Sequence, residues 1–148
     1  MSCIFCQINE QKLPAFSVYQ DEFSHAIVDK FPLSPGHIIV LSKSHKGSID
    51  GLSEQELSAI WKTARKVGQA MKKADAGVKD VHYLINDGPA ANQHVPHVHL
   101  HVIPRYGWDL GLLPLRFMTR FMNPANYLGK DKSSGQWAAK LAELMTEV

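Results

Sequence analysis

Cysteine is scarce in this chain. Its 148 residues hold only Cys3 and Cys6, too few for the disulfide framework that staples small secreted domains. In a reducing compartment a C-x-x-C pair reads as metal ligands or as a redox pair. A thioredoxin-like pair sits between a strand and a helix, and no strand pattern precedes these residues. Long apolar runs are lacking as well: none approaches the roughly 20 residues that cross a bilayer. The opening Met1-Ser2-Cys3-Ile4-Phe5-Cys6 has neither the basic segment nor the long apolar stretch of a secretory signal. A cytoplasmic protein without a membrane partner is the expectation. No charge of one sign dominates. The formal net charge of +2 is too small to argue for general nucleic-acid binding. Repeats, low-complexity stretches and composition shifts are also missing. What remains is an ordinary globular composition, 45% hydrophobic and 20% charged, in a chain long enough for one domain with a substantial core.

Short apolar segments at 16–20, 24–29, 37–41, 81–86 and 97–103 read as strands. Asp21-Glu22, Pro35-Gly36, Asp87-Gly88-Pro89 and Pro104 bound them. Five strands with short connections suggest an antiparallel sheet. The clearest helix starts at Ser53, which forms a capping-box pattern with Glu56. Leu57, Ile60, Trp61, Ala64, Val67 and Met71 follow at helical spacing, and Gly77 supplies a stop. The basic residues Lys62, Arg65, Lys66, Lys72 and Lys73 lie mostly elsewhere on the wheel and read as a solvated face. A C-terminal helix is indicated by a second capping-box pattern, Ser133 and Gln136, before Trp137, Leu141 and Leu144. Between the helices, the apolar residues around 112–122 read as a segment that wraps the sheet or a subunit interface, with a substrate lid as the alternative.

The richest stretch is His97-Val98-His99-Leu100-His101-Val102-Ile103. A strand repeats every two residues, which puts three imidazoles on one face and Val98, Leu100 and Val102 on the other. Histidine suits proton transfer, metal binding and nucleophilic attack near neutral pH. The plain alternative is a polar solvent-facing strand, but exposed strands favour Thr, Lys or Glu for that purpose. The loop before it, 86–96, is rich in amides and small residues. Gly88, Ala90 and Ala91 allow a ligand close to the backbone, and Asn86, Asn92 and Gln93 can donate hydrogen bonds to oxygens. An ordinary turn would have a similar composition.

The string HVHLHVI matches the alternating signature of the histidine triad (HIT) family. CIFCQI, VDKFPLSPGHIIVLSKSH and INDGPAANQ resemble that family in order and spacing. The resemblance covers about residues 3–108, leaving 109–148 as a C-terminal extension on the same domain or at a dimer interface. It implies an α+β fold: a five-stranded antiparallel sheet with one long helix and a C-terminal helix, in a homodimer. It also implies a nucleotide-binding hydrolase or transferase in which His99 attacks the α-phosphorus of a purine nucleotide derivative. A nucleotidyl-histidine forms and water releases the monophosphate. A backbone carbonyl is the implied partner of the other His99 nitrogen. His97 and His101 flank the nucleophile, and His37 matches a further histidine near the site. Asn86 and Gln93 match positions that contact phosphate or leaving group, Asp29 matches the ribose position, and Phe5, Ile8, Ile27 and Ile4 match an apolar base pocket. Core packing is the plain reading of each apolar residue.

Two departures stand out. His94 replaces the usual Ser or Thr near the scissile bond, which bears on leaving-group preference. Pro104-Arg105 replaces the Gly-Gly of the phosphoramidase branch and looks more like the dinucleoside polyphosphate hydrolases and many bacterial members. Some members with this cysteine pair bind structural zinc, for which Cys3, Cys6, His45 and His97 form the candidate Cys2His2 set. The alternative is two free thiols behaving as small hydrophobes. No organic cofactor is implied. Two other readings stand beside the enzyme: a nucleotide-binding regulatory or interaction module, and a protein whose three histidines gather one metal. Three imidazoles about 7 Å apart converge poorly on one ion, whose nitrogens must approach to about 2 Å.

Overall fold

A computed structural model describes residues 3–107, 109, 111, 115 and 130–147. Apart from Leu115, the apolar stretch 112–122 lies outside the described residues. A short helix, α1 (Ile4–Asn9), opens the chain. Strands β1 (Ser17–Gln20) and β2 (Ser24–Val28) form a hairpin. Asp21 closes its reversal, its Oδ1 accepting from Phe23 N–H at 2.9 Å and Ser24 N–H at 2.7 Å. Strand β3 (Ile38–Ser42), the long helix α2 (Glu54–Ala74), and strands β4 (Asp80–Ile85) and β5 (His99–Arg105) follow. Helix α3 (Lys130–Met145) comes last. The sheet order is β1-β2-β3-β5-β4, and every pair is antiparallel.

The two sheet faces have different tasks. Ala26, Ile38, Val40, Leu100 and Val102 pack against Ile60, Ala64, Val67 and Met71 of α2 and against Ala138 and Leu141 of α3. Ile27, Ile39 and Leu41 point the other way and meet Phe5 and Ile8 of α1. In register, Leu41 pairs with His99 and Ile39 with His101. Both histidines therefore share the α1-covered face, while Leu100 and Val102 anchor their strand in the main core.

Local signals hold well at the start of α2. Ser53 Oγ accepts from Glu56 N–H at 3.2 Å, and Glu56 returns a bond to Ser53 N–H at 2.7 Å. The stop is earlier than Gly77. Asp75 leaves helical geometry, and its Oδ1 accepts from Gly77 N–H at 2.8 Å. Trp61 lies at the edge of the apolar stripe and is 44% exposed. Ser133 is no cap, because α3 already runs from Lys130.

Strand β5 differs from its sequence reading at both ends. It begins at His99, so His97 precedes it, and it runs through Pro104 to Arg105. Proline fits because the β3 ladder ends at Val102. Lys79 N–H donates to Arg105 O at 2.8 Å, so Arg105 faces β4 and the missing N–H of Pro104 faces the unpaired side.

Candidate functional site

His99 and His101 sit side by side on β5, with ring centroids 4.9 Å apart. Both are more than nine-tenths buried. His99 Nδ1 lies 2.7 Å from the His97 carbonyl oxygen. A carbonyl only accepts, so Nδ1 carries the proton and Nε2 keeps its lone pair. The ring is therefore held in the tautomer a nucleophile needs.

His101 is held by a side-chain chain. Its Nδ1 is 3.0 Å from His37 Nε2. His37 Nδ1 accepts from Leu33 N–H at 3.1 Å and lies 3.2 Å from Asp29 Oδ2. While Leu33 supplies the hydrogen at Nδ1, His37 carries its own proton at Nε2 and donates it to His101. If His37 takes up a second proton, Nδ1–H faces the Asp29 carboxylate and Nε2 still donates. Either way His101 presents N–H at its own Nε2. His37 is wholly buried. Asp29 Oδ1 accepts from Phe31 N–H at 2.8 Å.

His97 faces a different set of groups. Its Nε2–H donates to Ser42 O at 2.8 Å, leaving a lone pair on Nδ1. That nitrogen lies 3.5 Å from Cys3 Sγ and 3.6 Å from Cys6 Sγ, and Cys6 Sγ lies 3.2 Å from His45 Nδ1. All four ligand atoms fall within 4.8 Å of one another. A tetrahedron with zinc–sulfur and zinc–nitrogen bonds of about 2.3 and 2.0 Å has sulfur–nitrogen edges of about 3.5 Å. The donor set fits zinc, and the Ser42 carbonyl is the outer partner that a metal-ligating imidazole requires. Burial lowers the His97 pKa, with His45 and His99 adding to that, which favours the neutral form that ligates metal. Burial raises that of the Cys6 thiol, with neighbouring Cys3 adding.

The model of the HIT domain matches residues 10–108. The chain belongs to the HIT family. An uncharacterized HIT-like protein of Methanocaldococcus jannaschii is 38% identical over 107 residues, 72% of this chain and 81% of that one. The adenosine 5'-monophosphoramidase of Schizosaccharomyces pombe is 35% identical over 112 residues, 76% of this chain and 80% of that one. Among solved structures, a zinc-bound histidine triad family protein from Mycobacterium smegmatis matches with a TM-score of 0.80. It is 30% identical, and the match covers 100% of this chain and 99% of that one.

Other residues singled out from the HIT resemblance are distributed unevenly. Phe5 stacks edge-on to His99 at 5.0 Å and, with Ile8 and Ile27, borders an apolar patch beside the triad. Ile4 is exposed. Gln93 braces its own loop: its Oε1 accepts from Gly88 N–H at 2.8 Å and its Nε2–H donates to Gly47 O at 2.9 Å. Asn86 donates to Asn92 O at 3.5 Å, and His94 is exposed. Arg105, which suggested a polyphosphate branch, pairs with Asp109 at 3.0 Å. Ser42 went unnoticed in the sequence because it acts through its carbonyl, which leaves no side-chain signal. His25 also escaped notice. It lies on the same face, with Nδ1 3.1 Å from Asn9 Oδ1 and Nε2 3.0 Å from Ser17 Oγ.

Proposed function

We propose that this HIT protein cleaves a nucleoside phosphoramidate by nucleotidyl transfer through His99. The observation that carries this reading is the 2.7 Å bond from His99 Nδ1 to His97 O, beside the N–H of His101. His99 Nε2 attacks the α-phosphorus. The new N–P bond forms as the bond to the leaving amine breaks, and the amine departs with the electron pair and takes a proton. The His99 ring becomes cationic, and its Nδ1–H stays bonded to the His97 carbonyl. His101 Nε2–H donates to a phosphoryl oxygen as charge builds there. Water then attacks phosphorus, the N–P bond breaks, and the nucleoside monophosphate leaves with His99 restored.

The apolar patch of Phe5, Ile8 and Ile27 takes the base. Asp29 takes the ribose diol as a carboxylate acceptor. His94 supplies the leaving-group proton. The relative named adenosine 5'-monophosphoramidase supports adenosine phosphoramidate as the substrate to test first. Arg105 is buried and paired with Asp109, so the residue that resembles the polyphosphate branch is not presented to such a substrate.

Zinc belongs to the same reading as a structural ion. Cys3, Cys6, His45 and His97 would hold it, and it would tie α1 to the loops that flank β3 and β5. The test of the catalytic reading is a nucleotidyl adduct on His99, formed by the native chain and missing in His99→Ala. Turnover in that variant falls by about 10⁴-fold or more.

A further inference from the structure

The turn that precedes His37 is held from outside the triad. Pro35 and Gly36 are the central residues of a turn closed by His37 N–H to Ser34 O at 3.1 Å. Gly36 has φ +85°, the conformation that the third residue of a type II turn requires. Each central carbonyl has its own aromatic donor. Tyr106 O–H donates to Pro35 O at 3.0 Å, and Trp137 Nε1–H donates to Gly36 O at 3.1 Å. Tyr106 follows β5 directly, and Trp137 lies on α3. The indole is so close that a Cβ on Gly36 would come within 2.9 Å of it. On the other side of the loop, Asp29 N–H donates to His37 O at 2.9 Å.

The soft coordinate of such a turn is a flip of the peptide between its central residues, which interconverts types I and II. Tyr106 holds that peptide by its oxygen, and Trp137 holds the next one. The next residue is His37, whose Nε2 meets His101 Nδ1 at 3.0 Å. We infer that Trp137, with Tyr106, is a positioning residue for the His37–His101 pair, so that α3 sets the donor His101 offers to the phosphoryl group. This rests on the role of His101 proposed above. It gives the C-terminal helix a part in the chemistry as well as in the core.

Trp137→Phe keeps an aromatic side chain on α3 but removes both the N–H and part of the ring that packs against Gly36, so its packing loss is read separately in thermal melting. Tyr106→Phe removes only the O–H. Both variants and their combination are compared with the native chain in three readouts: thermal melting, nitrogen–proton NMR of the His37 and His101 rings, and kcat and KM on adenosine phosphoramidate. Loss of one neutral hydrogen bond predicts a kcat lower by about fivefold at unchanged KM. The ring signals of His37 and His101 move with it, and the double variant moves further. Ring signals and kcat that stay native in the folded double variant overturn the inference. So does a lower melting temperature with unmoved ring signals, which is the mark of packing alone. If the native chain fails to turn over the substrate, the catalytic reading fails, while the NMR comparison still decides whether α3 positions the pair.

Discussion

His97, His99 and His101 have the same side chain and three different environments. Two backbone carbonyls set the first two: Ser42 O takes the Nε2 proton of His97, and His97 O takes the Nδ1 proton of His99. One residue thus turns its ring toward the cysteines and its carbonyl toward its neighbour. His25 shows what burial does to the same side chain on the same face. Burial lowers its pKa from 6.5 to about 4, with Lys43 adding to the effect. Asn9 Nδ2–H donates to Ser42 O at 2.8 Å, so Asn9 presents its oxygen and His25 is protonated at Nδ1 alone. Between pH 6.5 and 4 the unfolded chain binds more protons at this residue than the folded chain does. Its contribution is therefore complete above the upper value and is lost as pH falls, up to about 3 kcal/mol by the lower one. His25→Gln should flatten the loss of stability between pH 7 and 5 in urea melts. An unchanged slope would remove His25 as its source.

Among the elements, α1 is the one whose stability depends most on what it is tied to. Six residues are too few to form a stable helix alone, and α1 is held by the apolar patch, the Cys/His cluster and the Asn9 hydrogen bonds to Ser42 and His25. Purified protein should carry one zinc per chain. With free zinc at about 10³ times its dissociation constant, the ion stabilises the fold by about 4 kcal/mol. Cys6→Ser should lose both the metal and that stabilisation. Metal analysis that finds far less than one zinc per native chain contradicts this.

How well each element could be read in advance follows from how local its causes are. The Ser53 and Glu56 box and the alternation 99–102 depend on neighbours within four residues, and both were legible. The Ser133 and Gln136 pattern is just as local, but the helix already runs from Lys130, and the pattern alone cannot show that. The strand stops short of His97 because Val98 N–H donates out of register, to Lys46 O at 2.7 Å, although Ser42 N–H still donates to Val98 O at 3.1 Å. Those partners are about fifty residues away. Asn86 and Gln93 have the right chemistry for phosphate, and their amides also reach Asn92, Gly88 and Gly47, contacts that the sequence does not show. The Trp137 contact with Gly36 is equally remote in sequence.

On the scale of the whole molecule, the described sheet ends in two edge strands, β1 and β4. β4 lies at the end of the strand order, and no described strand pairs with its outer edge. Tyr83 and Leu84 on that strand and Trp61 beside it are each about two-fifths exposed. Trp61 and Tyr83 stand with ring centroids 6.3 Å apart. An open edge carrying large apolar side chains invites a second sheet, and a second copy of the chain is the proposed occupant. Light scattering should give twice the chain mass for the native protein, and Leu84→Lys should shift it toward a single chain. A native protein that is monomeric at high concentration contradicts the dimer.

The central claim concerns one nitrogen, His99 Nε2, and a rapid acid or denaturant quench tests it most directly. The native protein is mixed with adenosine phosphoramidate, quenched within the first turnovers, digested and analysed by mass spectrometry. The account predicts an adenylyl group on the peptide that carries His99, gone on longer incubation and missing in His99→Ala. Steady release of adenosine monophosphate by a His99→Ala chain, or an adduct mapped to any other residue, would contradict it.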